Sequence, residues 1–328
     1  MIALAVDAGG TSTRAVVVDD TGTCLGYGCG GSGNPISVGI GTASTAAADS
    51  AAAALHMARV PAEAVGCWLV AAAGGVATDD VGAFREPTRR LGIEVPPVFR
   101  GDALATFFSG TWRQDGYVLV VGTGAIAGRV EHGQMTATAD GLGWLLGDEG
   151  SGFWIGHRVV RAALAAIDGR GPATRLADLV AKHLACVEPS ARALEGGRPT
   201  WLAAALETLY SGRAIDIARF APLAFEAAGD AVADGITADA EAALRSTIQA
   251  VVTPSLTGPL VCGGGVLNHN PSLAHGAARQ LPANAIDGVH VVTDGLVGAA
   301  QLALRVAGQT VGETAFNRIK SSMTTVRP

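Results

Sequence analysis

IALAVDAGGTSTRAVVVDDTG, residues 2–22, is an apolar run that stops at a carboxylate, turns on two glycines and returns as a second apolar run. Ile2–Val6 and Arg14–Val18 read as the strands of a hairpin, Asp20–Gly22 as a turn, and Cys24–Gly28 as a third strand. Asp7 ends the first strand. Gly9 and Gly10 let backbone N–H groups approach a phosphate, and Thr11, Ser12 and Thr13 add hydroxyl donors. An ordinary Asx-type hairpin turn uses the same residues. The phosphate reading gains from an echo further on. Tyr117–Val121, the turn Gly122–Gly124, Ile126–Val130, a turn at His132–Gly133 and Gln134–Ala139 repeat the pattern. Two strand–glycine–strand units in one chain predict duplicated halves facing each other across a cleft, each a mixed sheet flanked by helices. The glycine turn opens a hairpin and no GK[ST] occurs, which separates it from Rossmann and Walker A loops.

Around these units the spacing predicts a helix at 43–58, a buried strand at Val65–Ala71, a helix near 80–91 and a strand at Val95–Phe99. Residues 151–252 read as mainly helical, with Pro172, Pro199 and Pro222 marking starts or breaks. A strand at 259–262, a helix after Pro271, a strand at Val289–Val292 and a helix at 295–307 stopped by Gly308 follow. The tail after Thr310 has weak periodicity and is expected to fray.

A chain of 328 residues suggests two domains with sizeable cores. The net charge of −6 and the absence of any Lys/Arg block argue against nucleic acid. Residues 21–48 and 246–278 lack charge but are broken by Gly, Pro, Asn or His, so neither reads as a membrane span. No basic, signal-like leader is visible and the five cysteines form no CxxC pair, so a reducing cytoplasm is expected. The scattered histidines give no metal spacing.

Three further stretches carry chemistry. LVCGGGVLNHNP, from Leu260, places three glycines between a strand and a helix, so that a flat adenine ring can lie against bare backbone; a tight connection is the plain alternative. DGLGWLLGDEGSGFWIG, residues 140–156, joins glycines, two tryptophans and adjacent carboxylates, the combination that grips a polyhydroxylated ligand. Within it Ser151 is a candidate helix cap, Glu149 a support of the loop, and Trp154 a core residue. Asp102, in FRGDALATFF, starts an apolar helix; it suits an N-cap, and equally a base that accepts a proton from an attacking hydroxyl.

DAGGTSTR, VGTGAIAG, LVCGGGVLN and the 140–156 loop together resemble the N-acetylglucosamine kinase group of the BadF/BadG/BcrA/BcrD-type ATPases. The resemblance implies a two-domain, actin-like (ribonuclease H-like) α/β fold, with domains at 1–114 and 115–328 and the helix at 295–308 returning to the first. It implies ATP and Mg²⁺ as cofactors. Asp7 would hold the metal through water, Gly9, Gly10, Thr11 and Thr13 the outer phosphates, and Gly122 and Thr123 their second side. Gly263, Gly264, Gly265 and Asn268 would take the adenosine, and Asp102 would be the catalytic base. Asn34, Gly74, Gly124, Gly143, Trp144 and Asp148 would line the sugar. Ala73 stands where some relatives carry serine. The implied reaction is ATP-dependent phosphorylation of an amino sugar, glucosamine or N-acetylglucosamine, at its 6-hydroxyl, with a homodimer left open. Relatives on this fold that activate 2-hydroxyacyl-CoA dehydratases through an iron–sulfur cluster, and a nucleotide-binding regulator without turnover, are the alternatives. The cluster needs cysteines beside the cleft loops, and Cys24, Cys29, Cys67, Cys186 and Cys262 do not supply them.

Overall fold

The computed structural model describes residues 1–72, 81–184, 194–195, 198–199, 201–282 and 284–328. Its first strand, β1 (Ile2–Ala8), is buried on both faces, so the sheet it centres must be covered twice. Leu4, Val6 and Ala8 enter one core cluster, Ala3 and Ala5 another. The chain pairs β1 antiparallel with β2 (Thr13–Asp19), and β2 antiparallel with β3 (Cys24–Gly30). After α1 (Pro35–Val38) and α2 (Ile40–Ala58), β4 (Val65–Ala72) joins β1 in parallel. α3 (Val81–Arg89) then leads to β5 (Pro97–Gly101), parallel to β4, and to α4 (Asp102–Gly110).

The second sheet repeats the plan. β6 (Gly116–Val121), β7 (Ala125–Glu131) and β8 (Gln134–Asp140) form an antiparallel meander. A helical stretch follows: α5 (Gly152–Ile167), α6 (Leu176–His183), the small ladder β9 (Leu194–Glu195) with β10 (Arg198–Pro199), α7 (Trp201–Ser211), α8 (Pro222–Glu226) and α9 (Ala231–Gln249). β11 (Gly258–Gly263) joins β6 in parallel, and α10 (Gly265–His269), α11 (Pro271–Ala278) and β12 (Ile286–Val291) follow. The sheet orders β3-β2-β1-β4-β5 and β12-β11-β6-β7-β8 share one topology, a three-stranded meander extended by two parallel strands. This is the duplicated arrangement that the paired glycine turns predict, and the actin-like plan that the resemblance implies.

Two helices lie between the sheets. α4 packs against β6 and β11 as well as β4 and β5, while α12 (Leu296–Val306) packs on β1, β4 and α4. One core cluster therefore includes Ala5, Leu69, Phe107, Val118, Val261 and Ala300, spanning both halves. On the outer face of the first sheet, α2 brings the alanine stripe Ala43, Ala47, Ala51 and Ala54 down onto the strands. The approach is close because β3 offers Gly26 and Gly28: a Cβ on either would run into the α2 backbone.

Three expectations change. Residues 313–326 do not fray; they form α13 (Glu313–Val326), with Phe316, Ile319 and Met323 buried and the helix docked on β3. The strand expected at 95–99 runs from Pro97 to Gly101, and the one expected at 289–292 from Ile286 to Val291, because β4 and β11 set their registers. Trp154, expected in the core, is half-buried: it packs against the helical core cluster while the Arg158 guanidinium lies 3.8 Å from its ring centre. Among the described residues no helix is long and apolar enough to cross a membrane.

Candidate active site

The polar residues singled out in the sequence sit where strands of the two sheets end. After β1 the chain turns through Gly9–Ser12, where the Gly9 N–H donates to the Ser12 carbonyl at 3.1 Å. A second loop, 31–34, is tied to this turn. The Gly33 N–H donates to the Gly9 carbonyl at 3.0 Å, and the Ser32 hydroxyl to the Gly10 carbonyl at 2.7 Å. Thr13, expected beside phosphate, is fully buried, and its hydroxyl proton goes to the Gly31 carbonyl at 2.8 Å. It acts as the pin between the two loops. Gly10 and Thr11 remain exposed. Asn34 stands at the end of the pinned loop, where its carbonyl accepts from Ser37 and Val38 and starts α1. The loop containing Gly74 and Ala73 lies outside the described residues.

The echo turn after β6 is also fixed by backbone. Gly122 donates to the Gly124 carbonyl at 2.9 Å, and the carbonyls of Gly122 and Thr123 accept from Gly152 and Phe153 at the start of α5. Ser151 caps that helix by accepting from Trp154 N–H at 3.2 Å, as the sequence suggests. Gly264 lies against this turn, at φ 94°, with no room for a side chain next to the Val121 and Gly122 backbone. Gly263 is buried, whereas Gly265 faces open space. Asn268 donates to the Thr293 carbonyl at 2.7 Å, which links the glycine turn after β11 to the loop before α12.

Asp148 is 6% exposed and sits against Gly124, where an added Cβ would come within 2.8 Å of both carboxylate oxygens. It accepts from the Ala125 N–H at 3.1 Å. Burial, and secondarily the negative charge of Asp140, raise its carboxyl above the ordinary range. Asp140 is the residue that sequence reasoning missed here. Its two oxygens accept from the amides of Asp148 at 2.6 Å and Glu149 at 2.8 Å, so one carboxylate shapes the whole loop. Gly143 (φ 83°) turns the loop outward, and Trp144, 43% exposed, rests on Phe153 with ring centres 5.3 Å apart. Trp144 and Trp154 face an open cavity of about 690 Å³, whose lining includes His157, Arg158 and Arg161. That lining also includes Gly147 and Glu149 of the same loop but none of Asn34, Asp102 and Asp148.

Asp7 and Asp102 occupy the floor between the sheets. Asp7, on the face of β1 that turns toward α12, is 7% exposed and accepts from the Gly295 N–H at 3.0 Å. Burial first, then the negative charges of Asp294 and Asp102, push its carboxyl up to about 7. Asp102 opens α4 but is not its cap: Gly101 holds the cap position without a side-chain bond, and an Asp102 oxygen accepts from the neighbouring Ala103 N–H at 2.9 Å. Desolvation raises its carboxyl too, although part of its surface meets solvent. Asp294, a second residue the sequence did not single out, stands just before α12, whose cap position is Gly295, and accepts from the Leu296 N–H at 3.0 Å. Both omissions have one cause: Asp140 and Asp294 act across folded loops, and a carboxylate before a glycine reads as a plain turn.

This arrangement offers a glycine-lined turn from each half, a third glycine turn against the second, and two buried carboxylates at the junction. Such a site can hold a polyphosphate on backbone amides and take a proton from a hydroxyl brought to Asp102. Residues 4–303 match the BadF/BadG/BcrA/BcrD ATPase family. An N-acetylmuramic acid/N-acetylglucosamine kinase of Clostridium acetobutylicum is 34% identical over 108 residues, which span 33% of this chain and 35% of that protein. An N-acetyl-D-glucosamine kinase of Dictyostelium discoideum is 29% identical over 230 residues, covering 66% of this chain and 68% of the relative. A Chromobacterium violaceum crystal structure, described as a candidate N-acetylglucosamine kinase, superposes with a TM-score of 0.68 at 24% identity, covering 92% and 98% of the two chains.

Proposed function

We propose that this chain, which belongs to the BadF/BadG/BcrA/BcrD ATPase family, uses ATP to phosphorylate an amino sugar at its 6-hydroxyl. The observation that carries the proposal is the convergence of Asp7 and Asp102 at the junction of the halves, close enough for one charge to raise the other's pKa. The two kinase relatives supply the substrate class.

Each part of the site then has a task. The turns at Gly9–Thr11 and Gly122–Thr123 present backbone to the phosphates from opposite halves, and Gly263–Gly265 with Asn268 form the bed for adenosine. Asp102 accepts the proton of the attacking hydroxyl, a role favoured by its desolvated carboxylate. Asn34 and Asp148 bind ring hydroxyls, with Asp148 held in place by Gly124 and Asp140. Bringing the halves together would exclude water, the competing acceptor. Positioning and charge stabilisation supply most of the rate, as in phosphoryl transfer generally.

Mg²⁺ fits the residues present. The buried Asp7 carboxyl, pushed up to about 7 by desolvation and by the neighbouring negative charges, is a group whose ionised form a divalent cation would stabilise, although no cluster of three metal-ligating side chains surrounds it among the described residues. Asp7 would hold the ion through water; the ion supplies neutralisation of phosphate charge when bound.

Cluster chemistry fits poorly. Cys24, Cys67 and Cys262 are buried, and burial pushes their thiols up, to about 11 for Cys24 and about 12 for Cys262, the opposite of what thiolate ligands need. A coupled ADP-release assay over glucose, glucosamine, N-acetylglucosamine and N-acetylmuramic acid tests the function. Phosphorus–proton correlation NMR on the product tests the position. Glucose turned over as well as the amino sugars, or phosphate on the anomeric oxygen, would overturn the reading.

A further inference from the structure

The terminal helix α13 lies beyond the residues that match the family, which stop at 303, yet it is firmly held. Phe316 packs on Trp112, Arg318 donates to the Thr21 carbonyl at 3.1 Å, and the Ser322 hydroxyl accepts from the Cys24 N–H at 2.9 Å. The helix ends by sending Arg327 over the Tyr27 ring, 5.5 Å from its centre, and onto Asp294. There the guanidinium Nη2 lies 2.9 Å from Asp294 Oδ2, whose side chain is 8% exposed. The other cation near Asp294 is Arg14, at 3.9 Å.

Asp294 is one residue from the amide that serves Asp7. Its Oδ1 accepts from the Leu296 N–H, and between them the Gly295 N–H donates to Asp7 Oδ2. Arg327 is therefore the nearer ion-pair partner of the carboxylate that holds the turn presenting a donor to Asp7, although its Nε and Nη2 make no hydrogen bond of good geometry. Without it Asp294 would keep a single, longer ion pair and be freer to leave Leu296.

Resting on the nucleotide site proposed above, we infer that Arg327 is a positioning residue for metal–nucleotide binding, acting through Asp294 on the Gly295–Asp7 contact. The terminal helix is the arm that delivers it. This gives α13 a purpose beyond covering β3.

Calorimetric titration of the full-length protein with ADP, with and without Mg²⁺, tests the inference independently of any sugar. Arg327→Met is expected to weaken Mg·ADP binding about 5–30-fold, the size of a lost partly buried charge contact, with metal-free ADP much less affected. Arg327→Lys should regain most of the affinity. Asp294→Asn added to Arg327→Met should also regain it, because Asn still accepts from the Leu296 N–H and removes the uncompensated charge. A structural role alone would lower the melting temperature without this rescue. If Arg327→Met is not recovered folded, Arg327→Gln, which retains a hydrogen-bonding head, takes its place. Equal Mg·ADP affinity in wild type and variant, or equal loss with and without Mg²⁺, would overturn the inference and leave the nucleotide site standing. Failure of the wild-type chain to bind nucleotide at all would overturn both.

Discussion

Replacing Asp7 by Asn should make the ligand-free protein more stable at pH 8 while abolishing its metal-dependent activity. The magnitude follows from the raised carboxyl. In the folded chain Asp7 titrates at about 7 against an ordinary value of 3.8, a gap of roughly 3 units at about 1.4 kcal/mol each. Below the unfolded value both states hold the proton and the full contribution is present. Between about 4 and 7 the unfolded chain loses its proton while the folded chain keeps it, so stability falls as pH rises. Above 7 the loss is complete, about 4 kcal/mol as an upper bound. Asn has no proton to lose, and its side-chain oxygen can still accept from the Gly295 N–H. Wild type and Asp7→Asn should thus be alike near pH 4–5, with the variant ahead by about 2–4 kcal/mol at pH 8. Denaturant melts of both proteins from pH 4.5 to 8.5, without nucleotide or metal, measure the difference. Parallel curves with the same pH slope would show that Asp7 titrates normally and would remove the electrostatic case for a cation at this position.

Other substitutions probe the site and its frame. Asp102→Asn should lower kcat about 10²–10⁴-fold at nearly unchanged sugar affinity, measured by steady-state assay and calorimetry; turnover near wild type would end the base assignment. Its melting point should hold or rise, because the amide retains the Ala103 contact and removes a desolvated charge. Gly124→Ala should raise the sugar KM by pushing the Asp148 carboxylate from its place, and Asp148→Asn should act in the same direction; intact KM in both would remove Asp148 from the sugar site. Phe316→Ala should cost about 3–5 kcal/mol in a denaturant melt, the usual cost of emptying a buried phenylalanine site, whereas a fraying tail would show no change.

The fold was legible wherever chemistry and periodicity coincided. Two apolar hairpins broken by glycine turns announced the duplicated sheets, and the run at 43–58 announced a helix; its close approach to β3 through Gly26 and Gly28 was not announced. The terminal helix was obscured because Phe316, Ile319 and Met323 recur at helical spacing among Thr, Ser and Asn, too few to stand out before β3 is known to be their partner. The candidate site was legible as residue types, since Asp7 ends a strand at a glycine hairpin turn while Asp102 and Asp148 stand where a strand or loop meets a helix. Their environments were not. Asp140 reaches two amides through a loop whose shape requires positive φ at Asp140, Gly141, Gly143, Asp148 and Gly150, and no local pattern states which amides those will be. Trp154 was read as core and does pack against the helical core, but its exposed side lines an open cavity that no local pattern announced.

Asp7 finds its backbone donor 288 positions away, at Gly295, and Cys24 its hydroxyl partner 298 positions away, at Ser322. During synthesis, the face of the first sheet that α12 and α13 cover must wait until almost the entire chain has emerged. Meanwhile Ala3, Ala5, Val16, Val18, Leu69 and Ala71 lack the helices that bury them. The β1–β2 hairpin is therefore among the last parts to be completed, a long-range closure that slows folding and exposes apolar surface to aggregation. A nascent chain stalled or cut before α12 would present a sticky, half-covered sheet to the cell's chaperones and proteases. Recombinant fragments limited to the first half should meet the same fate.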